Sequence, residues 1–414
     1  MPVRTFTLAA NLNSPDSNRR WWLCGLLFVA TALSFLDRQV LSVLAPVITK
    51  QLDMSNVQYS HVTTAFLVSY AVMFVVGGRL MDVLGTRLGM ALSVGLWSLA
   101  SAAHAVVQSA AQLGFCRFLL GVGEGGCFPG AAKGVAEWFP QRERALAMGI
   151  AIGGASLGAV VAPPLTVWLA KAVGWRGVFV TTGLMGAAWV VGWWMLNRRP
   201  ACSVSETNSQ TGETPVQLSS LARRGDVWGL ALMRFIFDPV FYFYMFWIPK
   251  YLHHERGVSQ QQIGDLVWIP FLALGISNAA GGWVSDRLIQ RGLPALTARR
   301  AIMAAAALVT IASSFAGQVK TVPMALAMMS LLMFAHGFWI TNYVTLISDR
   351  FPKSAVGTVM GFAGTIGALG GILANFNTGW VVEKFSYGPL WLASGVMYPL
   401  AFIVLFATIH NRHE

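Results

Sequence analysis

Twelve runs of about 20 apolar residues constrain what this chain can fold into more than any other feature. As helices, such runs are long enough to cross the hydrocarbon layer of a bilayer, which is ~30 Å thick. Only 11% of the 414 residues are charged, whereas an average soluble domain has roughly a quarter. We therefore predict an all-α integral membrane protein with twelve transmembrane helices in two pseudo-symmetric bundles of six. The runs begin near Trp21, Ser60, Leu88, Ala110, Arg144, Trp175, Asp226, Gln262, Arg299, Thr321, Val356 and Pro389.

Two sequence echoes indicate that the halves are duplicates. The segment GGRLMDVLGTR from Gly77 shares Gly, Gly and Asp with GGWVSDRLIQR from Gly281, and FPQRERALAMG from Phe139 resembles FPKSAVGTVMG from Phe351. Duplicated halves predict a pseudo-twofold axis with a binding site between them near the midplane. The expected units are a tail (1–20), a bundle (21–197), a linker (198–225), a second bundle (226–409) and a tail (410–414).

The positive charges predict the orientation in the membrane. Arginine pairs such as Arg19–Arg20, Arg198–Arg199 and Arg299–Arg300 fall in one set of loops and tails, and the opposite loops hold far fewer Lys and Arg. Loops rich in Lys and Arg stay on the cytoplasmic side. We expect both termini and the linker to be cytoplasmic, and we interpret the +12 net charge in this way and not as a nucleic-acid footprint.

Four charges interrupt the apolar segments of the first half. Asp37 and Arg38 lie in the first segment, and Arg117 and Glu124 lie seven residues apart in the fourth. Seven residues are close to two helical turns, so Arg117 and Glu124 are expected to face one cavity. Structural ion pairs are one interpretation; the other, which we favour, is an anion site with a proton carrier, because charges inside a membrane usually mark substrate or proton pathways. Lys133, further along, is interpreted as an interfacial residue.

The repeated loop motif carries a second set of charges. Asp82 and Arg87 lie in the first copy, and Asp286 and Arg287 lie in the second. A solvated loop with positive-inside charge would account for them. We favour a gate, in which the acids accept hydrogen bonds in one conformation and release them in another.

The second half contains mainly neutral candidates. Arg234 and Asp238 stand four apart on one helix, which favours an internal salt bridge. Tyr242 belongs to an aromatic run that would serve either for stacking on a sugar ring or as an interfacial belt. His336 is either a ligand contact or, as we favour, a packed histidine. The neutral groups proposed to face substrate hydroxyls are Trp339, Asn342, Thr365 and Asn375.

The sequence lacks the motifs of several other classes of protein. Cys24, Cys116, Cys127 and Cys202 show no metal-ligand or disulfide spacing. The chain contains no HExxH, GxSxG or Walker A motif, which argues against a membrane enzyme and against ATP-driven pumping. We expect no metal and no cofactor.

Several of these motifs resemble those of a known protein family. The GGRLMDVLGTR loop and its repeat resemble the signature of the major facilitator superfamily. Three long segments resemble the anion:cation symporter family, in particular its bacterial hexuronate transporters: FLDRQVLSVLAPVI from Phe35, RFLLGVGEGGCFPGAAKGVAEWFP from Arg117, and FDPVFYFYMFWIPKYL from Phe237.

The resemblance implies proton-coupled import of a sugar-acid monoanion across the bacterial inner membrane by a monomer in the lipid bilayer, with the proton gradient as the driving force. It implies that Asp37 and Glu124 couple protons, that Arg38 faces the substrate carboxylate, that Arg117 organises the charges, and that Tyr70 lines the pocket.

The resemblance also bears on the substrate. Relatives that take open-chain aldonates carry a glutamine where this chain has Gly153 to Ser156, which favours a ring-form hexuronate such as galacturonate or glucuronate. The alternatives are another carboxylate, and an organophosphate:phosphate antiporter that uses Arg38 and Arg234 as paired ligands.

Overall fold

The computed structural model describes residues 15–139, 141–197, 223–351 and 353–409. Most of the predicted N-terminal tail and linker, and the C-terminal tail, lie outside the described residues. Helices occur at all twelve predicted segments, and no strand occurs in the described ranges. The α-helices are α1 Pro15–Val43, α2 Ala45–Gln51, α3 Asn56–Ala103, α4 Ala110–Glu124, α5 Cys127–Trp138, α6 Gln141–Leu196, α7 Gly225–Arg256, α8 Gln260–Leu266, α9 Trp268–Gln290, α10 Ala295–Thr310, α11 Val322–Arg350, α12 Lys353–Phe385 and α13 Gly388–Thr408.

The helices have the length and surface of membrane spans. Nine stretches of the described residues are long and apolar enough to cross a bilayer. Large apolar side chains also face outward, such as Trp168 and Trp283, which are 65% and 67% exposed. Such a surface suits lipid and not water. The all-α membrane fold is therefore confirmed, and the count of twelve spans stays a prediction.

Two long helices each contain two predicted segments joined by a sharp turn. In α3 the turn is at Gly85 (φ 73°), and in α6 it is at Gly174 (φ 69°). These positive φ values suit glycine, because a side chain would be strained there. The two turns therefore let the chain reverse where the sequence predicts the loops after the second and fifth segments.

Close glycine contacts repeat between the halves. A Cβ on Gly121 of α4 would collide with Ser69 of α3 and lie 3.1 Å from the Tyr70 nitrogen. A Cβ on Gly337 of α11 would collide with Ser277 of α9 and lie 3.0 Å from the Asn278 nitrogen. Small residues let membrane helices approach closely. These glycines therefore allow close contact within the α3–α4 and α9–α11 pairs.

The halves are tied together at one end, which we name the closed end. There Tyr59 Oη donates to the Phe246 carbonyl oxygen (2.8 Å), Asn375 Nδ2 donates to Thr63 Oγ1 (2.8 Å), and Gln260 Nε2 donates to the Val43 oxygen (2.8 Å). Asn375, predicted from sequence to face substrate, thus bonds across the halves.

The opposite end, which we name the open end, carries the first and last described helix termini. Its ion pairs between described residues stay within one half, as in Arg20–Glu143 (2.8 Å) and Arg350–Asp226 (2.8 Å). Between residues that the structure describes, no hydrogen bond or ion pair joins the halves there. Among the described residues, the hydrogen bonds that join the halves therefore lie at the closed end.

Candidate functional site

A cavity of about 310 Å³ lies between the halves. The first half contributes an apolar wall that includes Phe35, Phe128 and Ile152, with Ser156 as a small polar group. This volume is at the lower end of the roughly 300–1,000 Å³ typical of small-molecule sites. The second half lines it with Arg234, Asp238, Phe241, Tyr242, Phe271, Leu274, Asn278, His336 and Ile340.

A buried ion pair stands behind the first-half wall. Arg38 Nε lies 2.6 Å from Glu124 Oε2, and Ser34 Oγ donates to the same oxygen at 2.8 Å. Glu124 is fully buried and Arg38 is 6% exposed. Removing one partner of such a pair would leave an uncompensated buried charge, so each group compensates the charge of the other.

Aromatic rings surround the arginine of this pair. The Arg38 guanidinium carbon lies 4.2 Å from the centroid of the Tyr70 ring and 4.9 Å from that of Phe35. Phe35 also lines the cavity. Because arginine stacks on aromatic faces, these rings fix the guanidinium plane next to the cavity.

Asp37 and Arg117 form a second group. Ser101 Oγ donates to Asp37 Oδ1 (3.1 Å) and lies 2.9 Å from Thr182 Oγ1, while Arg117 Nη1 donates to the Asp37 main-chain oxygen (3.3 Å). The structure thus differs from the expectation that Arg117 and Glu124 face one cavity. Only Arg38 and Glu124 form an ion pair among the four charges, and neither Arg117 nor Glu124 lines the cavity.

Three polar atoms of these groups are buried without a hydrogen-bond partner among the described residues. They are Arg117 Nε, Arg117 Nη2 and Glu124 Oε1. Buried polar atoms are normally satisfied, and exceptions call for a functional or hydration explanation. Glu124 Oε1 in particular is an acceptor with no donor, and therefore a position where a proton can be held.

The second-half wall carries its own charge pair. Arg234 Nη2 lies 2.7 Å from Asp238 Oδ2, so the salt bridge predicted from the four-residue spacing is present. Tyr242 lines the cavity, and its stacking role stays a prediction. His336 lines it as well, although the sequence favoured a packed histidine, and Asn278 was not singled out from the sequence at all.

Three second-half residues predicted to bind substrate do not line the cavity, and the first-half candidates Arg38, Tyr70 and Arg117 do not line it either. Trp339 is fully buried against Phe237 and Tyr398. Asn342 donates to the Gly281 oxygen at 3.2 Å, and Thr365 donates to the Gly361 oxygen at 3.0 Å. These contacts are within the second half, and the predicted substrate role of the three residues stays a prediction.

The predicted gate residues lie at the open end. Arg87 Nη2 donates to the Trp194 oxygen (3.2 Å), and Asp286 Oδ1 accepts from Arg299 Nη2 (3.3 Å). Arg287 lies one residue further along α9, and the side chain of Asp82 is outside the described residues. Both contacts stay within one half, and the gating role of these residues stays a prediction.

Metal chemistry has no support in the described part of the chain. No group of three or more His, Cys, Asp or Glu side chains is placed there to hold a metal ion.

The fold and the cavity define the class of protein. A helical bundle with a lipid-facing surface, two duplicated halves and a cavity between them that is flanked by buried ion pairs is a multi-pass membrane transporter. The chain belongs to the Major Facilitator Superfamily, whose family model matches residues 27–375. It is a transporter and not an enzyme.

Relatives and a solved structure agree with this assignment. The chain is 28% identical to the hexuronate transporter of Escherichia coli K12 (95% of this chain, 94% of the relative). It is 30% identical to the hexuronate transporter of Bacillus subtilis 168 (89% and 90%). Its fold is similar to the crystal structure of a bacterial homologue of the human lysosomal transporter Spinster, in an inward-facing and occupied conformation, with a TM-score of 0.78, 20% identity, and 94% and 96% of the two chains covered.

Proposed function

We propose that this protein is a proton-coupled symporter that imports a hexuronate, such as galacturonate or glucuronate, by alternating access. The observation that carries the proposal is the Arg38–Glu124 pair, which is buried beside the cavity and in which Glu124 Oε1 has no hydrogen-bond donor among the described residues. The names of the two hexuronate transporters, similar to this chain over most of its length, support the substrate class.

The pair couples the two ligands by competition for one cation. With Glu124 ionised, its Oε2 occupies the Arg38 guanidinium at 2.6 Å. A proton on Oε1 neutralises the acid, so Arg38 becomes available to the substrate carboxylate, which it can bind with two parallel hydrogen bonds. Loss of the proton restores the competition and expels the substrate. Asp37, held by Ser101, is the second acid on the route of the same proton in this scheme.

Each end of the molecule faces a defined side of the membrane. Both termini are cytoplasmic by the distribution of Lys and Arg, so the open end faces the cytoplasm and the conformation is inward-facing. The protein works as a monomer in the bacterial inner membrane with the proton gradient as its only energy source. An organophosphate:phosphate antiporter fits less well, because Arg38 and Arg234 each already have a carboxylate partner.

Uptake into proteoliposomes tests the proposal. With the inside pH constant, an inward proton gradient is expected to drive radiolabelled galacturonate or glucuronate above its equilibrium level, and a protonophore should abolish this. Matched vesicles loaded with phosphate provide the comparison for antiport. Uptake that requires internal phosphate and ignores the proton gradient would contradict the proposal.

Alternating access also predicts the effect of weakening the closed end. Lys250 of α7 is 3% exposed, and its Nζ lies 4.8 Å from the centroid of the Tyr59 ring in the other half. Lys250→Met removes a cation–π contact worth about 0.5–2 kcal/mol, which corresponds to a roughly 2- to 30-fold shift towards a state open at this end. Pulsed EPR between labels at the exposed positions Asp53 and Glu255 should show more long distances.

The matched control for this variant is Lys384→Met, which removes an exposed lysine at the end of α12. It should leave the distance distribution unchanged. If Lys250→Met leaves the distribution unchanged as well, the contact does not hold the closed end.

A further inference from the structure

Asn278 of α9 belongs to the second-half wall of the cavity. The residue before it, Ser277, packs against Gly337 of α11, and the Asn278 main-chain nitrogen lies 3.0 Å from the position of that glycine's Cβ. This close helix contact holds Asn278 on the wall. A hydrogen-bonding amide therefore lines the cavity in the half opposite Arg38.

The Asn278 amide is uncommitted. Its main-chain oxygen accepts from Thr341 Oγ1 at 3.0 Å, which fixes the backbone. Its Oδ1 is buried without a hydrogen-bond partner among the described residues. A buried amide oxygen without a donor is costly, and a ligand hydroxyl would remove this cost because it can donate to the oxygen and accept from the amide nitrogen.

His336 stands on the same wall and is held in place from behind. Its Nδ1 lies 2.6 Å from Tyr398 Oη, and its ring stacks on Phe241 with 5.1 Å between centroids. Both contacts fix the ring where it borders the cavity. A neutral imidazole has one donor and one acceptor nitrogen, so with Nδ1 engaged, Nε2 remains for one further hydrogen bond.

The two walls of the cavity therefore differ in chemistry. The first-half wall is largely apolar, with Phe35 in front of Arg38, whereas the second-half wall presents neutral hydrogen-bonding groups beside an arginine that is already paired. A sugar acid has a matching division, with one carboxylate and a face of hydroxyls.

We propose that Asn278 and His336 bind the ring hydroxyls of the substrate and select among epimeric uronates, while Arg38 holds the carboxylate. This inference rests on the proposed function and extends it to the stereochemistry of the ring hydroxyls. The epimers share the carboxylate, so the Arg38 site does not distinguish them. Tyr398 is a positioning residue, since it acts through His336.

Competition binding to the purified full-length protein tests this inference. The probes are galacturonate, glucuronate and their monodeoxy analogues, measured on wild type, Asn278→Ala and His336→Gln. A neutral hydrogen bond is worth roughly a threefold to tenfold change in affinity, so each variant should lose that factor for the preferred uronate. For the analogue that lacks the hydroxyl bound by the replaced residue, the variant and the wild type should have the same affinity. The hydrogen bond is already missing with that analogue, so removing its second partner has no further effect.

Two further variants distinguish a direct effect on substrate binding from a general effect on the structure. Ser277→Ala changes the neighbouring residue, which faces Gly337 and not the cavity, and should keep the wild-type order of affinities. Tyr398→Phe removes the hydroxyl that holds the His336 ring. It should therefore lower the affinity for the same uronates and analogues as His336→Gln does.

The outcomes separate the two claims. If wild type binds uronates and Asn278→Ala and His336→Gln keep its ratio between epimers, the inference is overturned and the proposed function stands. If wild type binds no uronate, the proposed function fails and the inference fails with it. Selective loss matched to single hydroxyls supports both.

Discussion

Glu124→Gln is expected to retain substrate exchange and to lose accumulation driven by protons. Glutamine has the size of glutamate and can keep the hydrogen bond from Ser34 Oγ, but it neither carries a proton nor competes as an anion for Arg38. A gradient of one pH unit corresponds to about 1.4 kcal/mol, or a factor of about ten. A symporter that moves one proton with each monoanion can therefore accumulate the substrate up to that factor. The variant should reach only the equilibrium level, while counterflow of labelled uronate continues.

The ratio of accumulation to counterflow is the measurement, because it is independent of how much protein is reconstituted. Asp238→Asn is the matched control, since it removes a buried carboxylate that is also paired with an arginine. That variant should keep the ratio even if its affinity for substrate changes. Full accumulation by Glu124→Gln would refute the role of Glu124 as the coupling acid.

The sequence predicted the membrane fold because apolar runs and duplicated motifs are local signals. It also predicted the Arg234–Asp238 pair, since a spacing of four on one helix brings the two side chains together. It was less accurate for Arg117 and Glu124. Seven residues return to one helix face, and the two side chains do meet consecutive residues of α1, at the Asp37 oxygen and at Arg38. Neither side chain lines the cavity, because how α1 and α4 pack decides which groups reach it.

The second-half wall was harder to predict, because a polar residue in a membrane helix has two uses. Asn342 donates to a main-chain oxygen at Gly281, whereas Asn278, on the adjoining helix, lines the cavity. Nothing in their local sequences distinguishes them, since the difference depends on how α9 and α11 pack.

Arg38→Gln is expected to abolish substrate binding. Truncating one partner of a buried, charged hydrogen bond costs roughly 2–5 kcal/mol, and at about 3 kcal/mol the affinity falls more than ~100-fold. Arg38→Lys should also bind poorly, because lysine keeps the charge but loses both the forked geometry and the stacking on Tyr70. Equilibrium binding of labelled uronate to purified protein measures both variants.

A single Arg38 variant leaves Glu124 buried without its cation, so lost binding has to be separated from lost folding. The double variant Arg38→Gln, Glu124→Gln contains no unpaired charge at this site and should fold, which thermal unfolding can verify, yet it should still not bind. The matched neutral pair in the second half, Arg234→Gln with Asp238→Asn, should retain binding. Equal losses from the two double variants would instead indicate a two-arginine site for a dianion and would contradict hexuronate symport.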